Sequence, residues 1–434
     1  MTVLDDLLRR LDEPAHRYAE LDRYYEGRQP LAFLAPEART ALGNRFGVMA
    51  SNIPRLAVTA LAERLRITGF SDPTVWADWI RNDMDQLAGV AHREALLLGD
   101  SYVWVWSDQY GRPRVTVESA KQVAVLNDPG SRTVYAAIKR WEDPNRKTTE
   151  AVMLLPDVIV RLRANQGGAV ASGFERVEEI ANPLGVVPVV NLRNSDRILG
   201  DRGTSEIDDL RPLVDALNKS LADMMVTSEF VGRPRRWATG VELAEVPVLD
   251  DDGNETGETT EANPIPEGHR AMISENDAAK FGQLAAADLA GYEASVRVIL
   301  GQIMAVSTLP AHYVGVFTDN PASADALRAA EASLTARAEA RQATFGRAWE
   351  QVARLIVAVR EGRDPALIDD IRVQWADAAT RSVAQEADAI VKLYGAGLLP
   401  ASYALGRLGY SADEVAEIRA ARQLDTPPTP PAAA

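Results

Sequence analysis

A chain of 434 residues with no cysteine, four histidines, 46% hydrophobic residues, 25% charged residues and a net charge of −15 is long enough for two or three domains and has the composition of a folded protein. The lack of cysteine excludes disulfides, thiolate metal sites and cysteine nucleophiles, and His16, His92, His269 and His312 are too scattered to bring two imidazoles to one metal. The acidity argues against a generic nucleic-acid binder, since affinity for a duplex comes from Lys and Arg displacing counterions, although it suits a wall past which DNA must slide without adhering.

The first residues carry no basic segment followed by an apolar one, and no apolar run approaches the ~20 residues a bilayer requires, so no membrane association is expected. Val3, Leu4, Leu7, Leu8 and Leu11 fall on one face of a first helix, and Leu56, Leu61 and Leu65 follow in step behind an Asn52 cap signal. A third helix ends near Gly99, where the period changes to two, with turns at "DQYGRP" and "DPGS" between strands. "EAVMLLPDVIVRLRA" and "GVVPVVNLRN" read as strands broken at proline, the second behind an "NPLG" turn. Residues 1–205 therefore predict an α+β domain of antiparallel hairpins with helices.

From 206 to 231 the pattern is helical, with Leu210, Leu213, Leu217, Leu221, Met224 and Met225 along one side. Residues 232–283 break into "GRPRRWATG" and a strand-poor acidic stretch, read as a small projecting β subdomain. A helix at 284–306, a loop at 307–320 and a helix at 321–361 follow, the last capped by Asn320, with Pro321 in its first turn and Gly362 as its stop. Its apolar positions include Leu327, Leu334, Ala338, Phe345, Trp349, Val352, Ile356 and Val359. At 1.5 Å per residue such a helix spans about 60 Å, against a radius of gyration of about 22 Å for a compact chain of this length. Without sustained leucine heptads, it points to an elongated subunit buttressed by copies of itself. Residues 362–422 read as short helices joined at Gly and Pro, and 423–434 as a flexible tail.

Signatures of chemistry are sparse. The dipeptide Gly-Lys never occurs, so there is no Walker A phosphate cradle, and no GxSxG elbow is present. Paired carboxylates such as Asp208 and Asp209 are what an acidic chain produces on its surface. Asp250, Asp252, Asn254, Glu258 and Glu261 match the side-chain ligand offsets of an EF-hand, but Glu255 stands where glycine is required, which favours a polar hairpin tip over a calcium loop. Arg233, Arg235, Arg236 and Trp237 form a cluster suited to phosphate or, given the acidic chain, to carboxylates of a neighbouring subunit. His312 and Tyr313 have no sequence neighbour to complete a nucleophile–base pair, so packing or pore lining is the expected role.

The order of these elements, with "RYYEGRQPLAFL" (23–34), "NIPRLAVTALAERLRITGF" (52–70), "AHREALLLGDSYVWVW" (91–106), "NPLGVVPVV" (182–190), "DALNKSLADMMVTSEFVGRPRRWATG" (215–240) and "NPASADALRAAEASL" (320–334), resembles the portal (head-to-tail connector) proteins of tailed bacteriophages, especially those of actinobacterial siphophages. The resemblance implies an α+β, mainly helical subunit of wing, stem, clip and crown. The wing would be 1–205 with 321–361, the stem helices 206–231 and 284–306, the clip 232–283 and the crown 362–422. It implies a homo-oligomer, a dodecameric ring at the portal vertex of the virion, assembled in the host cytoplasm. Double-stranded DNA would pass its channel weakly held, with the terminase large subunit, a head-tail adaptor and the major capsid protein as partners, and no cofactor or enzymatic activity. The 307–320 stretch would be the channel loop, with His312, Tyr313, Val314, Val316, Phe317 and Asp319 facing the channel, while Arg233, Arg235, Arg236 and Trp237 make subunit or partner contacts. The alternatives are another ring-forming virion protein without a DNA channel and a soluble acidic hydrolase.

Overall fold

The computed structural model describes residues 2–31, 50–170, 172–232, 236–241, 244–249, 255–262, 277–283, 289–316, 323–379, 383–408, 410 and 412–425. Contacts divide the chain into two units, one of residues 1–322 with 333–376 and one of residues 323–332 with 377–434.

In the larger unit, α1 (Val3–Asp12) opens with a capping box: the Asp5 N–H donates to Thr2 Oγ1 at 3.2 Å, and the Thr2 N–H donates to the Asp5 carboxylate at 2.9 Å. Leu7, Leu8 and Leu11 are buried as their spacing predicts, while Val3 stays exposed. Next come α2 (Ala15–Tyr25), α3 (Ile53–Ala62), β1 (Ile67–Phe70), α4 (Pro73–Arg81) and α5 (Met84–Leu98). The sequence reading missed α2 and α4, although α4 carries a local start signal: Asp72 accepts from the Thr74 N–H at 2.9 Å, with proline in the first turn. Asn52 does precede α3, but it adopts a left-handed conformation (φ 52°) and makes no side-chain cap bond, so the predicted cap is corrected there.

Strands β2 (Asp100–Ser107), β3 (Pro113–Ser119), β4 (Val123–Asn127), β5 (Val134–Asp143), β6 (Thr148–Leu154), β7 (Val158–Ala164), β8 (Phe174–Ala181) and β9 (Val189–Arg193) build two antiparallel sheets, ordered β3-β2-β9 and β4-β5-β6-β7-β8. The leucine face of α1 lies on the second sheet, among Ala124, Ala136, Ile138, Ala151, Met153, Val160 and Leu162. Strand β8, exposed along nearly its whole length, was not read from the sequence.

Beyond them, α6 (Arg211–Gly232) is followed by β10 (Arg236–Thr239), β11 (Ala244–Leu249), β12 (Glu255–Ala262) and β13 (Lys280–Gln283), then α7 (Ala290–Ser307) and a 3-10 turn, Ala311–Val314. Residues 206–210, placed in the helix by the sequence reading, form turns ahead of α6. Helices α6 and α7 pack together. The acidic stretch is richer in strands than its composition suggested: β10 pairs with β13, and β11 with β12. Since Glu255–Ala262 is a strand, the last seven of the twelve positions of the EF-hand-like spacing are extended backbone rather than an ion-wrapping loop, and Asp250, Asp252 and Asn254 lie outside the described residues.

Helix α8 is Ala324–Glu361. Its cap is Ser323, whose hydroxyl accepts from the Ala326 N–H at 3.2 Å, three residues after the predicted Asn320. Residues 333–361 of α8 supply the second core of the larger unit. Trp349, Phe345 and Ile356 are fully buried, and Trp349 meets Trp79 edge to face at 5.1 Å. The strand β14 (Val373–Trp375) returns to pair with β1. The smaller unit contains α9 (Val383–Gly395), α10 (Ala401–Arg407) and α11 (Ala412–Asp425), packed in succession.

One close approach joins the end of α5 to the loop between β9 and α6. Gly99 ends α5 at φ 97°, and a Cβ on Gly203 would stand 1.8 Å from the Gly99 carbonyl oxygen. Because that neighbour is backbone, it cannot swing aside. Gly203→Ala is expected to lower stability by about 1–3 kcal/mol, read as a shift of the urea midpoint without a change of slope.

Candidate functional site

The most tightly engineered polar constellation in the larger unit surrounds Glu206. The turn carrying it is pinned by its own N–H donating to the Leu96 carbonyl at 2.9 Å and by the Gly203 N–H donating to Asp100 Oδ2 at 2.8 Å. Its carboxylate accepts from Asn194 Nδ2 at 3.0 Å, from Arg341 Nε at 3.1 Å and Nη2 at 3.0 Å, and pairs with Arg337 Nη2 at 2.5 Å. The side chains of Glu206 and Arg341 are both only 4% exposed. Arg341 also grips Asp196 with two hydrogen bonds, at 2.5 and 2.9 Å. Arg337 donates in addition to the carbonyl of Val306, in the last turn of α7, at 3.2 Å.

Four stretches of chain thus meet at one hub: the loop after β9, the turn that leads into α6, the end of α7 and the middle of α8. Burying charges costs several kcal/mol unless geometry and hydrogen bonding compensate, and here every carboxylate oxygen of Glu206 has a partner. Burial acts to lower the Arg341 pKa, but the Asp196 hydrogen bonds and the Glu206 charge outweigh it and hold it above its ordinary value. Conversely, the hydrogen bonds from Arg341 hold the Asp196 carboxyl below the usual carboxylate range.

The loop after α7 is fastened beside this hub. Thr308 turns the chain at φ 59°, Leu309 and Pro310 are buried, and the 3-10 turn holding His312, Tyr313 and Val314 ends at Gly315, φ 77°. His312 and Tyr313 touch edge to face at 4.8 Å. Tyr313 Oη accepts from Arg64 Nη2 at 3.4 Å, Arg64 Nη1 donates to Thr335 Oγ1 at 3.3 Å, and Gln342 Nε2 donates to the Arg64 carbonyl at 3.1 Å. Helix α8 therefore positions the loop through Arg64 and the end of α7 through Arg337. Val314 is half-buried, as is Val316. Phe317 and Asp319 lie outside the described residues.

The arginine cluster is placed only in part. Arg233 and Arg235 lie outside the described residues, and Arg236 opens β10. Trp237 stands opposite Gly282 across the β10–β13 ladder, where a Cβ would come within 2.4 Å of the indole; the glycine makes room for a ring that remains 43% exposed.

Neither Glu206 nor its two arginines were singled out by sequence reasoning. A signal existed: Arg341 occupies the apolar stripe of Leu334, Ala338, Phe345 and Trp349, and an arginine at a core position requires a buried carboxylate. Which carboxylate could not be read locally. Among the described residues, no group of three or more His, Asp or Glu side chains is arranged to hold a metal ion, and no helix is long and apolar enough to cross a membrane.

Two packed helices, α6 and α7, thus stand on either side of a small strand-built subdomain in sequence, with Arg337 of α8 holding both the turn before α6 and the last turn of α7. The chain matches the model of the phage portal protein family, SPP1 Gp6-like, over residues 4–426, and belongs to that family. Two curated relatives, the portal proteins of Mycobacterium phage L5 and Mycobacterium phage D29, are 32% and 33% identical to it over 389 residues, which cover 84% of this chain and 77% of each relative. Among solved structures, the chain is similar to one in the neck of a native gene transfer agent particle, with a TM-score of 0.48, 14% identity, and coverage of 88% of this chain and 96% of the other.

Proposed function

We propose that this portal-family chain assembles as a dodecameric ring at one capsid vertex and forms the channel through which double-stranded DNA is packaged and ejected. In this reading residues 1–205 and 321–361 form the wing, α6 and α7 the stem, and residues 232–283 the clip. The 307–320 stretch is the channel loop, 362–422 a crown and 423–434 a tail. The ring is the docking site for the terminase large subunit, the head-tail adaptor and the major capsid protein, and its role is mechanical rather than enzymatic.

The observation that carries the ring is the state of α7. Of its 18 residues only Glu293 and Arg297 are charged, yet only Ile303 and Ser307 are buried, and Val298 is 67% exposed. An apolar helix left this uncovered in a single chain calls for a neighbour. A closed circle of heterologous contacts gives every copy the same cover. Net acidity and the apolar side chains of Val314, Val316 and Phe317 favour passage of DNA without adhesion, and Arg233, Arg235 and Arg236 serve subunit or partner contacts.

Negative-stain images of the full chain are expected to show turbine-like rings with a central hole. DNA binding by the rings is expected to be feeble and nearly independent of salt; compact single molecules at all concentrations, or a steep salt slope lost on replacing the arginines at 233, 235 and 236 with alanine, would contradict this reading.

A further inference from the structure

A groove of about 420 Å³ opens on the larger unit, with Ala62, Leu65, Ile67, Trp76, Trp79 and Met84 among its apolar lining. Trp76 and Trp79 stack at 6.2 Å, and the buried Trp79 indole N–H has no partner among the described residues. Two cations and two anions, Arg66, Arg93, Glu63 and Asp85, complete the lining, and none of the four has a side-chain partner among the described residues. Other arginines of the same unit, among them Arg17, Arg140, Arg163, Arg193 and Arg202, are in ion pairs.

A feature of matching chemistry stands elsewhere on the same unit. The loop between β9 and Gly203 presents Ile198 and Leu199, 75% and 93% exposed, the latter the most exposed large apolar side chain among the described residues. Arg197 precedes them, its side chain without a partner among the described residues, and Asp201 follows, 93% exposed although it lies 3.6 Å from Arg10. The loop does not wander: Asp196 is gripped by Arg341, the Asn194 N–H donates to the Gly99 carbonyl at 2.8 Å, and Arg193 donates to the Gly200 carbonyl at 3.1 Å. An apolar pair held out into water by a braced loop is a knob.

We infer that the Ile198–Leu199 knob of one copy of this chain seats in the Trp76–Trp79 groove of the next copy, a head-to-tail contact that links successive subunits. Charge supports this occupant. The rim offers the carboxylates of Glu63 and Asp85 to Arg197, and the guanidinium groups of Arg66 and Arg93 to Asp201. Position supports it too. Helix α5 contributes Met84, Asp85, Ala88, Gly89 and Arg93 to the groove, while its C-terminal Gly99 anchors the knob loop. Gly89 and Gly99 are about 15 Å apart along that helix, so knob and socket occupy separate places on one rigid element. Two different patches that complement each other make a heterologous contact, which closes into a ring when the rotation per copy divides the circle.

This contact rests on the ring reading, and cysteine chemistry separates the two, since the chain has no cysteine of its own. In the double variant Leu199→Cys/Gly89→Cys, mild oxidation is expected to give a ladder of cross-linked multimers on a non-reducing gel, and neither single variant should give one. A side chain at Gly89 meets no atom within 4 Å, so the socket variant has room. Rings visible by microscopy with no ladder would overturn the knob-and-socket contact and leave the ring reading standing; single molecules throughout would overturn both. Independently, Leu199→Asp is expected to raise the concentration at which rings form by at least about tenfold, the loss of one buried leucine, with an unchanged urea midpoint for the dissociated chain. Assembly at the original concentration would overturn the contact.

Discussion

Glu206→Ala is expected to destabilise the larger unit by about 3–5 kcal/mol, because it leaves the Arg341 guanidinium buried beside a single remaining carboxylate. Arg337, 30% exposed, can turn to water, so the cost concentrates on Arg341. Chemical denaturation followed by tryptophan fluorescence, at one protomer concentration, measures it. Two comparisons separate a lost pair from a general loss of packing. Glu206→Met combined with Arg341→Met should recover most of the stability, since exchanging a buried pair for apolar side chains of similar size is often neutral. Asp196→Asn should cost less than about 1 kcal/mol, as its carboxylate is 71% exposed. If the double variant were as unstable as the single one, the hub would owe its strength to shape rather than charge.

Lowering the pH from 7 to 5 is expected to remove about 2 kcal/mol of stability through His92 alone. Its imidazole is fully buried, stacked on Phe345 at 5.6 Å and touched by Trp349 and Trp375. Nε2 accepts from the Trp349 indole N–H at 2.8 Å, so the neutral ring carries its proton on Nδ1. Burial pushes the pKa from 6.5 down to about 3, opposed by the Leu65 backbone. Between these values the unfolded chain takes up a proton that the folded chain refuses. The contribution of neutral His92 is therefore intact above pH 6.5 and falls by about 1.4 kcal/mol per unit as the pH drops toward 3. His92→Phe should flatten that part of the pH profile by the same 2 kcal/mol between pH 7 and 5, relative to the parent chain. At neutral pH it should cost about 1–3 kcal/mol, because the Trp349 N–H loses its acceptor. An unchanged pH profile in the variant would remove His92 as the cause.

Both predictions fall on contacts between α8 and elements far back in the chain, and it is there that the sequence was least legible. The leucines of α1, the glycine stop of α5 and the turns between β2 and β5 were readable because a helix or hairpin records its period and its caps within a few residues of itself. Helix α2 was overlooked because only Tyr18 and Leu21 of its residues are buried, too few to mark a stripe. Strand β8, with Glu175, Glu178 and Glu179 among its eight residues and only Phe174 packed against the core, shows no continuous apolar face. The candidate site divides in the same way. His312 and Tyr313 were identified as loop residues from their proline and glycine neighbours, whereas the arginine that holds Tyr313 lies on the segment after α3.

The amino-acid sequence by itself determined the α+β character, the order of the segments and, through six short stretches in sequence, the resemblance to portal proteins, because each of these is written in local periodicity or contiguous residues. The tertiary structure alone decided which charges are buried together and which glycines touch. Arg341 and Glu206 are 135 positions apart, and Trp349 and His92 are 257 apart. Nothing local links them: a buried donor finds its acceptor only when the packing of several helices has removed the water that would otherwise serve both.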